Sequence, residues 1–279
     1  MVIDVFELDE LKIYKGDDIY ITPDIVVMQP TIGQIADFGE KRYFGAVHTL
    51  TASGADMKWQ LWDYANIDYT TIEDYDLFVT FTYQIMSSNK KIYQEIIDNP
   101  DKYADEIANI PKDAIEEMNI NPLQLILKDI DLADFTPCTH EGTGEIVLYN
   151  IERDITIDKL IYTQIVNAVR KIHGLKRNDE KPGNETTKMI LIEEARENAA
   201  IVADKPHKST LTPLVSAITV KCGMCGDDRI WNMKVSQFFD NIKRISKIQE
   251  SNLLLQGAYS GFASLKGVDK SRLDWAGEI

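Results

Sequence analysis

Apolar side chains recur at steps of three and four along residues 235–248, and this pattern constrains the fold more than any other stretch of the chain. The spacing places them on one stripe of an α-helix. Lys243, Arg244 and Lys247 fall on the other side of that helix. The pattern predicts an amphipathic helix with a basic outer face that ends near Gly257. The stripe consists of Val235, Phe238, Phe239, Ile242, Ile245 and Ile248.

Three large aromatic residues, Tyr259, Phe262 and Trp275, follow this helix and still need a surface to pack against. Buried aromatics dominate the binding energy of many protein interfaces, at about 2 kcal/mol or more each. We therefore expect them to bind a partner protein, while the basic helix face (Lys243, Arg244 and Lys247) steers an acidic partner. Packing inside the protein's own core is the alternative.

The composition restricts the class of protein. With 279 residues the chain can form one large domain or two modest ones. Its formal charge of −15 disfavours nucleic acid and anionic membranes as partners, because both would repel such a surface. The chain has no run of eighteen apolar residues, and its acidic first ten residues do not resemble a signal peptide. Three cysteines fit a reducing compartment, so we expect a cytoplasmic protein.

The pattern of local signals predicts an α+β fold, in which residues 1–150 form a mixed α/β region. Short strands are predicted at residues 2–8, 11–14 and 19–22, the last two as a hairpin around Gly16. Thr31 is placed to cap a helix over residues 32–38, because Gln34 completes a capping box. The pattern over residues 72–86 fits a helix or a strand equally well. Further on, X-Pro pairs divide residues 89–130 into helical pieces.

Residues 151–279 are predicted to form a mainly helical region. Asp158 and Gly174 mark the two ends of a helix, and a second helix is predicted over residues 188–202. Between them lies a polar loop, residues 176–187, which contains Pro182, Gly183 and Asn184 and is expected to be mobile. Residues 211–220 are predicted to form either another apolar helix or a strand.

Cys222 and Cys225 form the sharpest local chemical pattern, because each is followed by glycine and two residues separate them. Such a knuckle can direct two thiolates at one tetrahedral ion. Cys138 and His140 would complete a Cys₃His site for a structural zinc ion. Their one-residue gap is tighter than usual for zinc, so a glycine-rich turn with buried thiols remains an alternative. A thioredoxin-like redox pair is a weaker one, since no βαβ setting surrounds it.

Catalysis is the least expected function. The sequence contains no His-Glu-x-x-His, no Gly-x-Ser-x-Gly and no phosphate-binding glycine loop. A nucleophile, a base and an orienting group cannot be assembled from it. We therefore predict a protein that is not an enzyme.

Residues 155–279 resemble proteins of the tail-morphogenesis region of tailed bacteriophages, among them tail assembly chaperones and baseplate assembly components. The resemblance lies in the order of the polar loop, residues 188–197, residues 209–216 and Trp231-Asn-Met. It continues through Phe238, Phe239 and the segment from Gln256 to Trp275. It implies a noncatalytic protein that binds other phage tail or baseplate proteins in the host cytoplasm or the virion tail. A zinc-stabilised structural component of the virion tail is the alternative.

Overall fold

The computed structural model describes residues 9–107, 110–140, 142, 144–205, 208–262 and 264–277, with side chains for all of these except 104–107. Helices dominate, and two small antiparallel sheets accompany them. The N-terminal region is mixed and the C-terminal region is mainly helical, so the α+β prediction is confirmed. The strand predicted at residues 2–8 lies outside the described residues.

The first described elements are α1 (Glu10–Lys15), β1 (Ile19–Tyr20) and β2 (Val26–Val27). The prediction of a strand at residues 11–14 is wrong, because that segment belongs to α1. A side-chain oxygen of Asp9 accepts hydrogen bonds from the backbone N–H groups of Leu11 and Lys12 and so caps the helix. Gly16 ends it in the left-handed conformation (φ 86°). β1 consequently pairs with β2 and not with residues 11–14.

Two helices follow in which local signals decide the boundaries: α2 (Ile32–Phe38) and α3 (Glu40–Thr51). The predicted capping box at the start of α2 is confirmed, with Gln34 N donating to Thr31 Oγ1 at 3.2 Å and Thr31 N donating to Gln34 Oε1 at 2.8 Å. A 3₁₀ turn, Gly54–Met57, leads into α4 (Lys58–Ala65).

The segment that the sequence leaves open between helix and strand is helical. It runs through α5 (Asp74–Leu77), a π-helical turn (Phe78–Thr82) and α6 (Tyr83–Asp98). The chain then breaks at Asn99-Pro100 and Ile110-Pro111, as predicted, because the residue before proline avoids α geometry. The pieces between and after these breaks are α7 (Pro100–Ile107) and α8 (Lys112–Glu117).

A three-stranded antiparallel sheet lies in the middle of the chain, in the order β3-β4-β5. The Tyr75 hydroxyl of α5 lies 2.9 and 3.0 Å from the carbonyl oxygens of Ile146 and Ile157, which ties α5 to two of its strands. The strands are β3 (Thr136–Thr139), β4 (Ile146–Asn150) and β5 (Ile155–Ile157), and a 3₁₀ turn, Leu132–Asp134, precedes them.

The C-terminal region contains five helices in the described residues: α9 (Lys159–His173), α10 (Glu185–Ala203), α11 (Leu211–Lys221), α12 (Arg229–Asn232) and α13 (Val235–Tyr259). Asp158 and Gly174 (φ 60°) cap α9 as predicted. α10 begins three residues earlier than predicted, because the Asn184 side chain accepts from Thr187 N at 2.8 Å.

The polar loop that precedes α10 is anchored at its start. Arg177 binds both carboxylate oxygens of Asp74, at 2.9 and 2.8 Å. Such a two-pronged pair is stronger and more directional than a single contact. Its expected mobility stays a prediction.

One hydrophobic core joins the two regions of the chain. It contains residues from α1, α3, α6, the three-stranded sheet, α9 and α13, so it crosses the boundary predicted at residue 150. Val235 and Phe238 of the predicted stripe are fully buried in it. A smaller second cluster packs Leu61 of α4 and Leu77 of α5 against Ile192 of α10.

The start of α11 is held by a carboxylate from far earlier in the chain. Glu40, at the start of α3, accepts hydrogen bonds from the backbone N–H groups of Thr210 and Leu211 at 2.7 and 2.8 Å. Burial alone would raise the pKa of Glu40. The hydrogen bonds from Ser209, Thr210 and Leu211 together outweigh that effect, so the pKa of Glu40 lies below its ordinary value. A negative charge here also complements the dipole of α11.

Candidate functional site

The last helix, α13, belongs to the core over its first half only. Its 25 residues extend about 37 Å. Its principal neighbours are α1, α9, α11 and the 3₁₀ turn Lys270–Arg272 near the end of the described chain. Beyond Ile242, Ser251 is the one buried side chain among the described residues. We call residues 243–277, of which only Ile245 and Ser251 among the described residues pack on the core or are buried, the C-terminal arm.

The arm is a hairpin in which the last residues fold back along α13. Arg272 Nε donates to Glu250 Oε1 at 2.7 Å, and Ser251 Oγ donates to the Leu273 carbonyl oxygen at 3.0 Å. Nearer the core, Arg244 Nη1 donates to the carbonyl oxygens of Trp275 and Gly277 at 2.7 and 2.8 Å. These contacts between α13 and the tail are polar.

Large apolar side chains of the arm face solvent. Tyr259 is 88% exposed and Phe262 is 93% exposed, while Trp275 and Leu253 are more than half exposed. The sequence left open whether the three aromatics lie in the core or on the surface, and the structure places them on the surface. Whether they bind a partner stays a prediction. The prediction did not include Leu253, although three consecutive leucines, Leu253–Leu255, cannot all lie on one helix face.

The predicted steering residues lie at the base of the arm, where Lys243 and Arg244 make structural contacts. Lys243 Nζ donates to the carbonyl oxygen of Gly174, just past the end of α9, at 3.1 Å. Arg244 holds the end of the hairpin, as described above. Lys247 lines a shallow groove together with Glu250 and Arg272. Their role in steering an acidic partner stays a prediction.

A polar cleft of about 500 Å³ opens at the base of the arm. It is lined by α1, the end of α9, α13 and the tail, with an ion pair between Lys171 and Glu10 on one side. Lys243 and Arg244 border it from α13. Charged and apolar side chains therefore both line the cleft between the arm and the body.

A buried histidine lies behind this cleft. His173 is 7% exposed, and its ring contacts those of Tyr43 and Phe239. Nδ1 lies 2.7 Å from the Val169 carbonyl oxygen and Nε2 lies 2.8 Å from the Tyr43 hydroxyl. Because a carbonyl can only accept, Nδ1 carries the proton and Nε2 accepts from Tyr43. Burial lowers the pKa of His173 to about 4, so the ring is neutral near pH 7.

The four predicted zinc ligands are not assembled in the structure. Cys138 lies in β3, Cys222 directly after α11, and Cys225 in the turn that follows; all three thiols are exposed and none is in a disulfide. Gly223 and Gly226 adopt positive φ angles of 65° and 74°, which fits the predicted turn. Within the described residues no group of three or more metal-ligating side chains is arranged around a common point. The thiols are not buried, contrary to the alternative of a turn with buried thiols, and zinc binding stays a prediction.

Comparison with known proteins bears on the segment that contains the arm. The family model described as YomV second domain matches residues 204–279. No curated protein and no solved structure matches the chain. Separately, no helix in the described ranges has the length and hydropathy of a membrane span. The family match covers α11 to the end of the arm and indicates a protein of phage origin.

Proposed function

We propose that this chain is a noncatalytic phage tail or baseplate assembly protein that binds other tail proteins through its C-terminal arm. The observation that carries the proposal is the exposure of Tyr259 and Phe262, at 88% and 93%, on this arm. Exposed aromatics of this size are characteristic of binding surfaces. The match to a phage-associated domain over the same segment supports the proposal.

Charge supports an acidic partner. Residues 243–277 contain six Lys or Arg and three Asp or Glu residues, whereas the whole chain contains 30 and 45. Glu250 is already paired with Arg272. The arm is therefore a basic, aromatic surface on an acidic protein, and a negatively charged partner would be attracted to it selectively.

The proposal is tested by capture of tail tube, baseplate and tape-measure proteins of the same phage, co-expressed with the tagged chain. The variant Tyr259→Ala with Phe262→Ala should lose capture while its thermal transition is unchanged, because neither side chain is buried. Each aromatic that enters a partner's pocket contributes about 2 kcal/mol, so the affinity should fall roughly 30-fold per residue.

The matched control removes exposed aromatics outside the arm, Tyr20→Ala with Tyr64→Ala, at positions that are 63% and 80% exposed. This variant should capture the tail proteins as the wild-type chain does. Equal capture by the arm variant and the wild-type chain would overturn the proposal.

A further inference from the structure

The chain carries a second unpartnered surface whose charge is opposite to that of the arm. Residues 92–117 contain eight Asp or Glu and two Lys residues. They form the end of α6, α7 and α8, and α8 buries no side chain at all. We call this segment, residues 92–117, the acidic shoulder.

Most of the described carboxylates of the shoulder are exposed and outside ion pairs. Among the described side chains, Asp98, Asp101, Asp113 and Glu116 are exposed and form no ion pair, while Glu117 is paired with Arg42. Apolar side chains lie between these charges: Ile92, Ile97 and Ile110 are each about half exposed. The shoulder therefore offers a negative charge that complements the basic arm, together with apolar side chains that the exposed apolar side chains of the arm can contact.

The arm presents the matching features. Lys266 and Lys270 are exposed and form no ion pair among the described side chains. Beside them, Leu253, Tyr259 and Phe262 are exposed. A fully buried aromatic removes roughly 150–250 Å² from water, so the arm's apolar side chains could supply much of the roughly 800 Å² per partner that a stable interface requires.

The two surfaces have different neighbours within one molecule. The arm's helix packs on α1, α9 and α11, whereas α6 packs on the π-helical turn, the turn Leu132–Asp134 and α7. One copy thus presents both surfaces to its surroundings. A basic aromatic surface and an acidic apolar one on the same chain are complementary between copies, and contact between them would neutralise charge on a protein of −15.

We infer that the C-terminal arm of one copy docks on the acidic shoulder of a second copy. The inference goes beyond the proposed function, because it names a second copy of the chain as a partner of the arm. The two surfaces differ, so the contact is heterologous. A pair of copies still has one free arm and one free shoulder, so further copies can add until a ring closes or an open filament forms.

Sedimentation velocity of the purified full chain across micromolar concentrations tests the inference. The wild-type chain should form oligomers at low salt that weaken in about 0.5 M NaCl, where screening shortens the range of charge attraction. The arm variant Lys266→Glu with Lys270→Glu should weaken association by roughly tenfold or more. The shoulder variant Asp98→Lys with Glu116→Lys should do the same, and its lysines lie near helix C-termini, where they favour the helix dipole.

Mixing the two variants gives the sharpest outcome. The shoulder variant keeps a native arm and the arm variant keeps a native shoulder, and the reversed arm and the reversed shoulder are complementary as well, so the mixture should associate although neither variant does so alone. A chain that carries all four changes should associate again through the reversed charges. The control Lys41→Glu with Lys128→Glu lowers the net charge by the same amount as the arm variant, at positions outside both surfaces, and should behave as the wild-type chain.

A monomeric wild-type protein under all these conditions, or variants that associate as the wild type does, would overturn the inference. The proposed function would survive that result if the aromatic arm variant still loses capture of tail proteins. Conversely, self-association through these surfaces with no capture of any tail protein would support the inference and overturn the proposed function.

Discussion

The buried histidine behind the cleft makes the stability of the fold depend on pH in a way that can be calculated. His173 is neutral in the folded state, with a pKa of about 4, whereas an unfolded histidine has a pKa of about 6.5. Protonation would add a hydrogen at Nε2, which already accepts from the Tyr43 hydroxyl. Tyr43 is fully buried, so its hydroxyl has no water to turn to.

The direction and the magnitude of the change in the free energy of unfolding with pH follow from proton linkage. Above pH 6.5 the imidazole is neutral in both the folded and the unfolded state, so the free energy of unfolding is not reduced by His173. As the pH falls from 6.5 to 4, the unfolded chain binds a proton that the folded chain excludes, so the folded state loses stability. Each pH unit costs about 1.4 kcal/mol over this window, which gives a total of about 3 kcal/mol.

Urea unfolding followed by circular dichroism at pH 7, 6, 5 and 4 measures this loss. Carboxylates also titrate in part of this range, so the variant His173→Gln, which cannot be protonated, is the reference. The variant should be less stable than the wild type at pH 7, and the difference between them should shrink by about 3 kcal/mol towards pH 4. His48→Gln, at an exposed position, is the control and should keep the wild-type slope. A His173→Gln variant with the wild-type pH dependence would refute the reasoning.

Three further outcomes are expected. Glu40→Gln should lower the free energy of unfolding by about 1–2 kcal/mol, because it removes the charged cap of α11. The control Glu10→Gln breaks an exposed ion pair and should change the free energy of unfolding by less than about 1 kcal/mol. Arg244→Ala should speed hydrogen exchange and proteolysis of residues 270–277 without shifting the main thermal transition, since its hydrogen bonds within the described part of the chain go to tail carbonyls; a shift of the whole transition would show a core role. Metal analysis of the purified protein should find one zinc per chain if the predicted site forms, lost in Cys222→Ser together with thermal stability; a folded, metal-free chain would remove that prediction.

The family match and the packing of the chain divide the molecule differently. The matched segment begins at residue 204, yet Val235 and Phe238 within it are buried in the same core as α1, α3 and α9. Glu40 caps α11, and Thr31 forms a β-bridge with Lys234. The segment is therefore bound into the body at its start.

The sequence determined those features that depend on residues close together in the chain. The capping box at Thr31 and Gln34, the caps of α9 and the breaks before Pro100 and Pro111 follow from backbone sterics and local hydrogen bonds. The apolar stripe of α13 follows from helical periodicity, and the acidic character follows from composition. These forces act within a few residues, so their outcome can be inferred without knowing the fold.

Only the tertiary structure decided what depends on distant partners. The partner of β1 is β2 and not residues 11–14, a choice between two segments that the local pattern did not make. Glu40 caps a helix that starts 171 residues later, a pairing with no local signal. The exposure of Tyr259 and Phe262 was likewise undecided until the packing was known, because burial is set by what surrounds a side chain and not by its identity.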